Sequence, residues 1–175
     1  KAAPSALKQA QAAHKRADRV ASRGTYSEEA IGLYGQALAM YEQALPSLSA
    51  GEQRDVRFAA AECLQYWAES LAGSRTTLAH ASQEAELSSQ VAALCERAAS
   101  QYAQINAPGL LPVEEAFVNG GNVMSVWADH LPYPDSVHMH RAAVVEYDKA
   151  LACGSQASGS SEAPPEGRAD VLMNR

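Results

Sequence analysis

Five residues in one short stretch, Asp129, His130, Asp135, His138 and His140, carry the side chains best suited to chemistry. A His-x-His pair with carboxylates nearby offers nitrogen and oxygen donors to a borderline metal such as zinc. The spacing argues against that use. His138 and His140 are two residues apart and diverge on a helix, and the stretch includes Pro132 and Pro134, so these residues read as polar connectors. No metal site is expected. His14 and His80 each stand alone on a predicted helix and are expected to be exposed. The chain has no G-x-S-x-G, P-loop, H-E-x-x-H or phosphate-cradling glycine loop. Gly120-Gly121 falls inside a predicted helix, where it indicates close packing. The expectation is a chain that is not an enzyme and needs no cofactor.

The three cysteines, Cys63, Cys95 and Cys153, are far apart and form no C-x-x-C pair. Cys63 and Cys95 lie within helical patterns and read as small buried hydrophobes, as expected for an intracellular, reducing compartment. The net charge of −6 argues against nucleic acid as a partner, because phosphates need a basic face. The basic cluster Lys8, Lys15, Arg16 and Arg19 reads as a solvated helix face. No apolar run is long enough to span a membrane, and there is neither a signal peptide nor an N-x-S/T sequon. With Lys1 at its start, the chain is expected to be a fragment or processed form.

Whatever these residues do, helices must position them. The composition is 47% hydrophobic and only 6% aromatic, with alanine prominent. Alanine is the best helix former and lets helices approach closely. Breakers divide the chain into helices of about 4–22, 27–45, 52–71, 77–105, 113–131 and 136–152, with Ser27 capping the second. Residues 154–167, rich in Ser, Gly, Pro and Glu, read as a flexible linker. Residues 168–175 read as the start of a further helix, and residues 1–153 as one helical domain.

Two helix types alternate. Trp67-Ala68-Glu69-Ser70-Leu71 matches Trp127-Ala128-Asp129-His130-Leu131 at an offset of 60 residues, which aligns Glu62 with Asn122. Tyr41-Glu42-Gln43-Ala44-Leu45 matches Tyr147-Asp148-Lys149-Ala150-Leu151, and Tyr102-Ala103-Gln104-Ile105 follows suit. Ala37, Tyr41 and Ala44 share one helix face, as do Ala143, Tyr147 and Ala150. The pattern predicts an all-α fold of stacked antiparallel hairpins, with the tryptophans as buried anchors between them.

These residues resemble the tetratricopeptide family. The stretch Glu29-Ala30-Ile31-Gly32-Leu33-Tyr34-Gly35-Gln36-Ala37-Leu38 is similar to the second helix of such a repeat, and Gly121-Asn122-Val123 to part of a first helix. The 60-residue offset exceeds the family's period of about 34 residues, so the helices or loops must be lengthened. Residues 5–72 also resemble a three-helix microtubule-interacting-and-transport module, through Gly24-Thr25-Tyr26-Ser27-Glu28-Glu29-Ala30-Ile31 and Leu33-Tyr34. The tetratricopeptide resemblance implies an α-solenoid scaffold whose first helices line a groove for a protein or peptide partner. It makes Asn122 the groove asparagine, with Asn119 one turn before it, as the partner-binding residues. Val118 stands where the carboxylate-binding members carry lysine, so recognition of a C-terminal carboxylate is not expected. The microtubule-interacting resemblance implies a helix-binding module instead. A permanent subunit of a multiprotein complex is the remaining expectation.

Overall fold

The computed structural model describes residues 3–22, 28–73 and 81–157. Among them are the α-helices α1 (Ala3–Ala21), α2 (Glu28–Ala44), α3 (Ala50–Gly73), α4 (Ala81–Ile105), α5 (Glu114–Ala128) and α6 (Asp135–Ala157), and no strand. The chain is all-α, as expected from its composition. The Ser27 cap, His80, most of the expected linker and the expected helix at 168–175 lie outside the described residues.

Local chemistry explains the helix ends. Pro46 has no N–H to extend α2, and Leu45–Ser47 closes as a 3-10 turn. The third helix starts two residues before the expected Glu52. Ser49 donates both its backbone N–H (2.9 Å) and its hydroxyl (2.6 Å) to the Glu52 carboxylate, one arm of a capping box. The α4–α5 connection is held by Asn106, whose side chain accepts from the Val113 N–H at 2.7 Å and donates to its carbonyl at 3.1 Å. Gly109 turns that loop at φ 89°, where a side chain is disfavoured. Arg54 reaches over from α3, donating to the Ile105 carbonyl from Nε and Nη2 at 3.2 and 2.9 Å and also to the Leu111 carbonyl. A cation there complements the carbonyl end of α4.

Two boundaries differ from expectation. The fifth helix ends at Ala128, with Asp129–Leu131 closing as turns, rather than near Leu131. The sixth continues to Ala157, so residues 154–157 are helical where a linker was expected. Gly154 is buried, and the Ser155 hydroxyl donates to the Leu151 carbonyl at 2.8 Å, which keeps the last turn wound.

The heaviest packing joins α1 to α2, α3 to α4 and α5 to α6. Lighter contacts join α2 to α3 and α4 to α5, and α3 also touches α5. Alanines fill the close approaches, among them Ala10, Ala17, Ala37, Ala60, Ala61 and Ala98, all at most 1% exposed. Three buried tyrosines repeat one device. On α2, Tyr41 meets His14 Nδ1 of α1 at 3.4 Å. On α4, the Tyr102 hydroxyl donates to Gln65 Oε1 of α3 at 3.0 Å. On α6, Tyr147 donates to Asn122 Oδ1 of α5 at 2.9 Å. Each phenol thus finds its partner on the preceding helix, so none is buried unsatisfied.

Gly121 makes the last of these possible: a Cβ there would lie 2.5 Å from the Tyr147 ring. The close packing expected of the glycine pair is realised at this position. Of the two tryptophans expected as buried anchors between hairpins, Trp67 is seen at such a seam. Trp67 of α3 reaches within 3.4 Å of where a Gly35 Cβ would stand on α2, at the seam between the first two helix pairs. Both Trp67 and Trp127 are only partly buried, and both pack against the hydrophobic core.

Candidate functional site

A cleft of about 330 Å³ opens where α1 and α3 flank Tyr34 of α2. His14, Asp18 and Ala21 line it from α1, and Glu62 and Tyr66 from α3. The i, i+4 spacing explains the arrangement. It puts His14 and Asp18 on one face of α1, and Glu62 and Tyr66 on one face of α3.

The floor is a chain of polar contacts. Tyr34 donates its hydroxyl to Asp18 Oδ1 at 3.1 Å. His14 Nε2 lies 3.7 Å from the same oxygen, and its Nδ1 faces Tyr41. His14 is 9% exposed, which corrects the expectation of a solvent-facing histidine. Burial drives its pKa below the ordinary histidine value, and neighbouring Asp18 only partly opposes this. The imidazole is therefore neutral at physiological pH. Burial, and then the Asp18 charge, push the Tyr34 phenol upward.

The walls carry carboxyl groups that no cation balances among the described residues. Glu62 is pushed up to about 7, first by burial and then by Glu115 and Asp18. Tyr66 is raised as well, by burial first and then by Glu62. Among the described residues no lysine or arginine pairs with Asp18 or Glu62. The cationic face of α1 points elsewhere: Lys8, Lys15, Arg16 and Arg19 are exposed, and Arg16 pairs with Glu29 at 2.5 Å. Cys63 lies behind the cleft wall, fully buried, with its thiol pushed up by burial. Cys95 is equally enclosed, and burial pushes its thiol up to about 12. Both are small buried hydrophobes, as expected.

The residues singled out from the sequence lie elsewhere. Asn122 accepts from Tyr147, and Asn119 hydrogen-bonds the Tyr102 hydroxyl. Each is half-buried on α5 and turned toward a tyrosine of a neighbouring helix. The histidine stretch does not gather into one cluster. His130 Nδ1 lies 3.3 Å from the Ser88 hydroxyl, and His140 lies 3.8 Å from Asp129. Among the described residues no three of His, Cys, Asp or Glu converge as metal ligands.

Sequence reasoning missed Asp18, Tyr34, Glu62 and Tyr66. One signal pointed there, since the 60-residue register aligns Glu62 with Asn122. An equivalent position on α3 thus faces the cleft while Asn122 on α5 binds a tyrosine. Comparison with family models, curated proteins and solved structures finds no match for this chain. The described helices and cleft define an all-α helical protein, in which no helix is long and apolar enough to cross a membrane.

Proposed function

We propose that this chain is a non-enzymatic interaction scaffold of tetratricopeptide-like, stacked-hairpin design. It holds an extended peptide or a helix of a partner protein along the face of its leading helices, α1, α3 and α5. The observation that carries this reading is the cleft between α1 and α3. Its size lies at the low end for ligand sites, suited to one or two side chains of a longer ligand. The recurring tyrosine contacts and the touching of α3 and α5 support the stacked-hairpin arrangement. On the far side of the cleft α3 touches α5, whose Glu115 adds to the charge that raises Glu62. Asn119 and Asn122 belong to the same proposal as partner-contacting positions, since a side-chain amide has donors and acceptors beyond one tyrosine bond.

A permanent place inside a larger complex is the second reading. The exposed apolar side chains Leu111 (82%), Tyr133 (84%) and Val145 (51%) favour it. Selection from a random-peptide display library separates the two. The scaffold reading expects wild type to enrich peptides that Tyr66→Arg or Asn119→Ala/Asn122→Arg fails to enrich while keeping its helical circular dichroism. Equal enrichment by all three moves the binding surface off this face. No enrichment above an unrelated helical protein sinks the scaffold reading and leaves the permanent subunit.

A further inference from the structure

Resting on the scaffold reading, we infer that the α1–α3 cleft is a recognition pocket for a basic side chain, arginine or lysine, of the partner peptide. Three features of the cleft converge on that ligand.

The first is charge. Asp18 and Glu62 face the cleft from opposite helices, Glu115 adds its field from α5, and no cation of this chain answers them among the described residues. Carboxylates brought together without a counter-ion repel one another, and a cation placed between them removes that repulsion. His14, the one basic group in the lining, is held neutral by burial and supplies no compensating charge.

The second feature is the aromatic lining. The Tyr34 and Tyr66 rings have centroids 6.2 Å apart and are tilted by 36°. Tyr66 is 37% exposed, so one ring stays accessible at the rim while Tyr34 closes the base. Tyrosine rings attract guanidinium and ammonium groups, and their edges pack along the methylene stem. A carboxylate or phosphate ligand would meet like charge on both walls.

The third is what remains free to bond. Asp18 uses Oδ1 for Tyr34 and His14, which leaves Oδ2 for a ligand. Glu62 makes no hydrogen bond or ion pair among the described residues, yet is half-buried. A guanidinium or ammonium donor supplies the partner that both oxygens lack. Because the proton on Glu62 competes with the cation, binding releases a proton and strengthens as pH rises through neutrality.

The test sequences the peptides enriched by the intact protein in the display selection and measures one of them, fluorescein-labelled, by anisotropy. The expected result is a fixed arginine or lysine in the enriched set. Replacing it by glutamine, or using Glu62→Gln or Asp18→Asn protein, should weaken binding roughly tenfold, as for loss of a charge-assisted contact at a half-buried site. Affinity of the basic peptide should rise about tenfold between pH 6 and pH 8, and this rise should vanish in Glu62→Gln. Circular dichroism confirms that each variant is folded. Peptides enriched without any basic preference overturn the pocket and leave the scaffold standing, whereas no enrichment at all removes both. As a direct readout, N-acetyl-arginine-methylamide should lower the midpoint of the Glu62 carboxyl titration followed by carbon NMR. An unmoved midpoint overturns the inference independently of the library.

Discussion

Glu62 costs the fold stability so that a charge can stand at the cleft wall. Its pKa in the folded chain, about 7, lies above the ordinary value of 4.5. The folded state therefore holds more protons than the unfolded chain between these two values, and this group's contribution falls as pH rises through that window. One pKa unit is worth about 1.4 kcal/mol, and water at the open side of the cleft screens part of it. Glu62→Gln should accordingly stabilise the protein at pH 8 by about 1–2 kcal/mol and change little at pH 4, as measured by urea unfolding at the two pH values. A variant no more stable at pH 8 than wild type would mean that the carboxylate is well solvated or already paired. His14 works in the opposite direction. Its lowered pKa gives stability above the ordinary histidine value that is lost as pH falls through the folded one. Neither role was legible from the sequence. The lone histidine carries no pattern, Glu62 is marked only by its register with Asn122, and only the packing of α1 against its neighbours reveals what they face.

At the scale of the helix, ends were harder to read than interiors. The α4 end was marked by Asn106-Ala107-Pro108-Gly109, and the chain does turn there. The third helix starts before the expected Glu52, although Ser49-Ala50-Gly51-Glu52 has the spacing of a capping box. The sixth helix runs past its expected end, because Gly154 and Ser155 are poor helix formers that packing and a side-chain bond hold in place. Arg54 was not singled out, since its partners are backbone carbonyls about fifty residues away. That guanidinium joins α3 to the last turn of α4 and to the following loop. Removing it in Arg54→Ala should cost about 2–3 kcal/mol, the upper range for hydrogen bonds to a charged group. The check is chemical denaturation, with Arg54→Lys recovering only part of the loss because an ammonium lacks the planar fork. A cost below a few tenths of a kcal/mol would show the loop to be held by Asn106 alone.

Across the whole molecule, the alternation of Trp-type and Tyr-type helices was the most legible feature, and it carries the all-α fold. The α3–α4 pair has neighbours on both sides, whereas α1 and α6 have extensive contacts only with their own partner helix. Stability in such a chain is set largely by nearest-neighbour interfaces. Native-state hydrogen exchange should therefore protect amides of α3 and α4 most and those of α1 and α6 least, with separable opening free energies. One common opening energy for all six helices would contradict this and describe a single cooperative core. The two indoles add a consequence of their own. Their N–H groups are buried with no acceptor among the described residues. Neither excited ring can relax by hydrogen-bonding to water at that atom, so native emission should lie toward the blue. The two lie on different helices, Trp67 beside Gly35 of α2 and Trp127 on α5. Replacing one indole by phenylalanine leaves the other as a colour gauge for its own stretch of the stack, and opening at either place can be watched separately without attaching a dye.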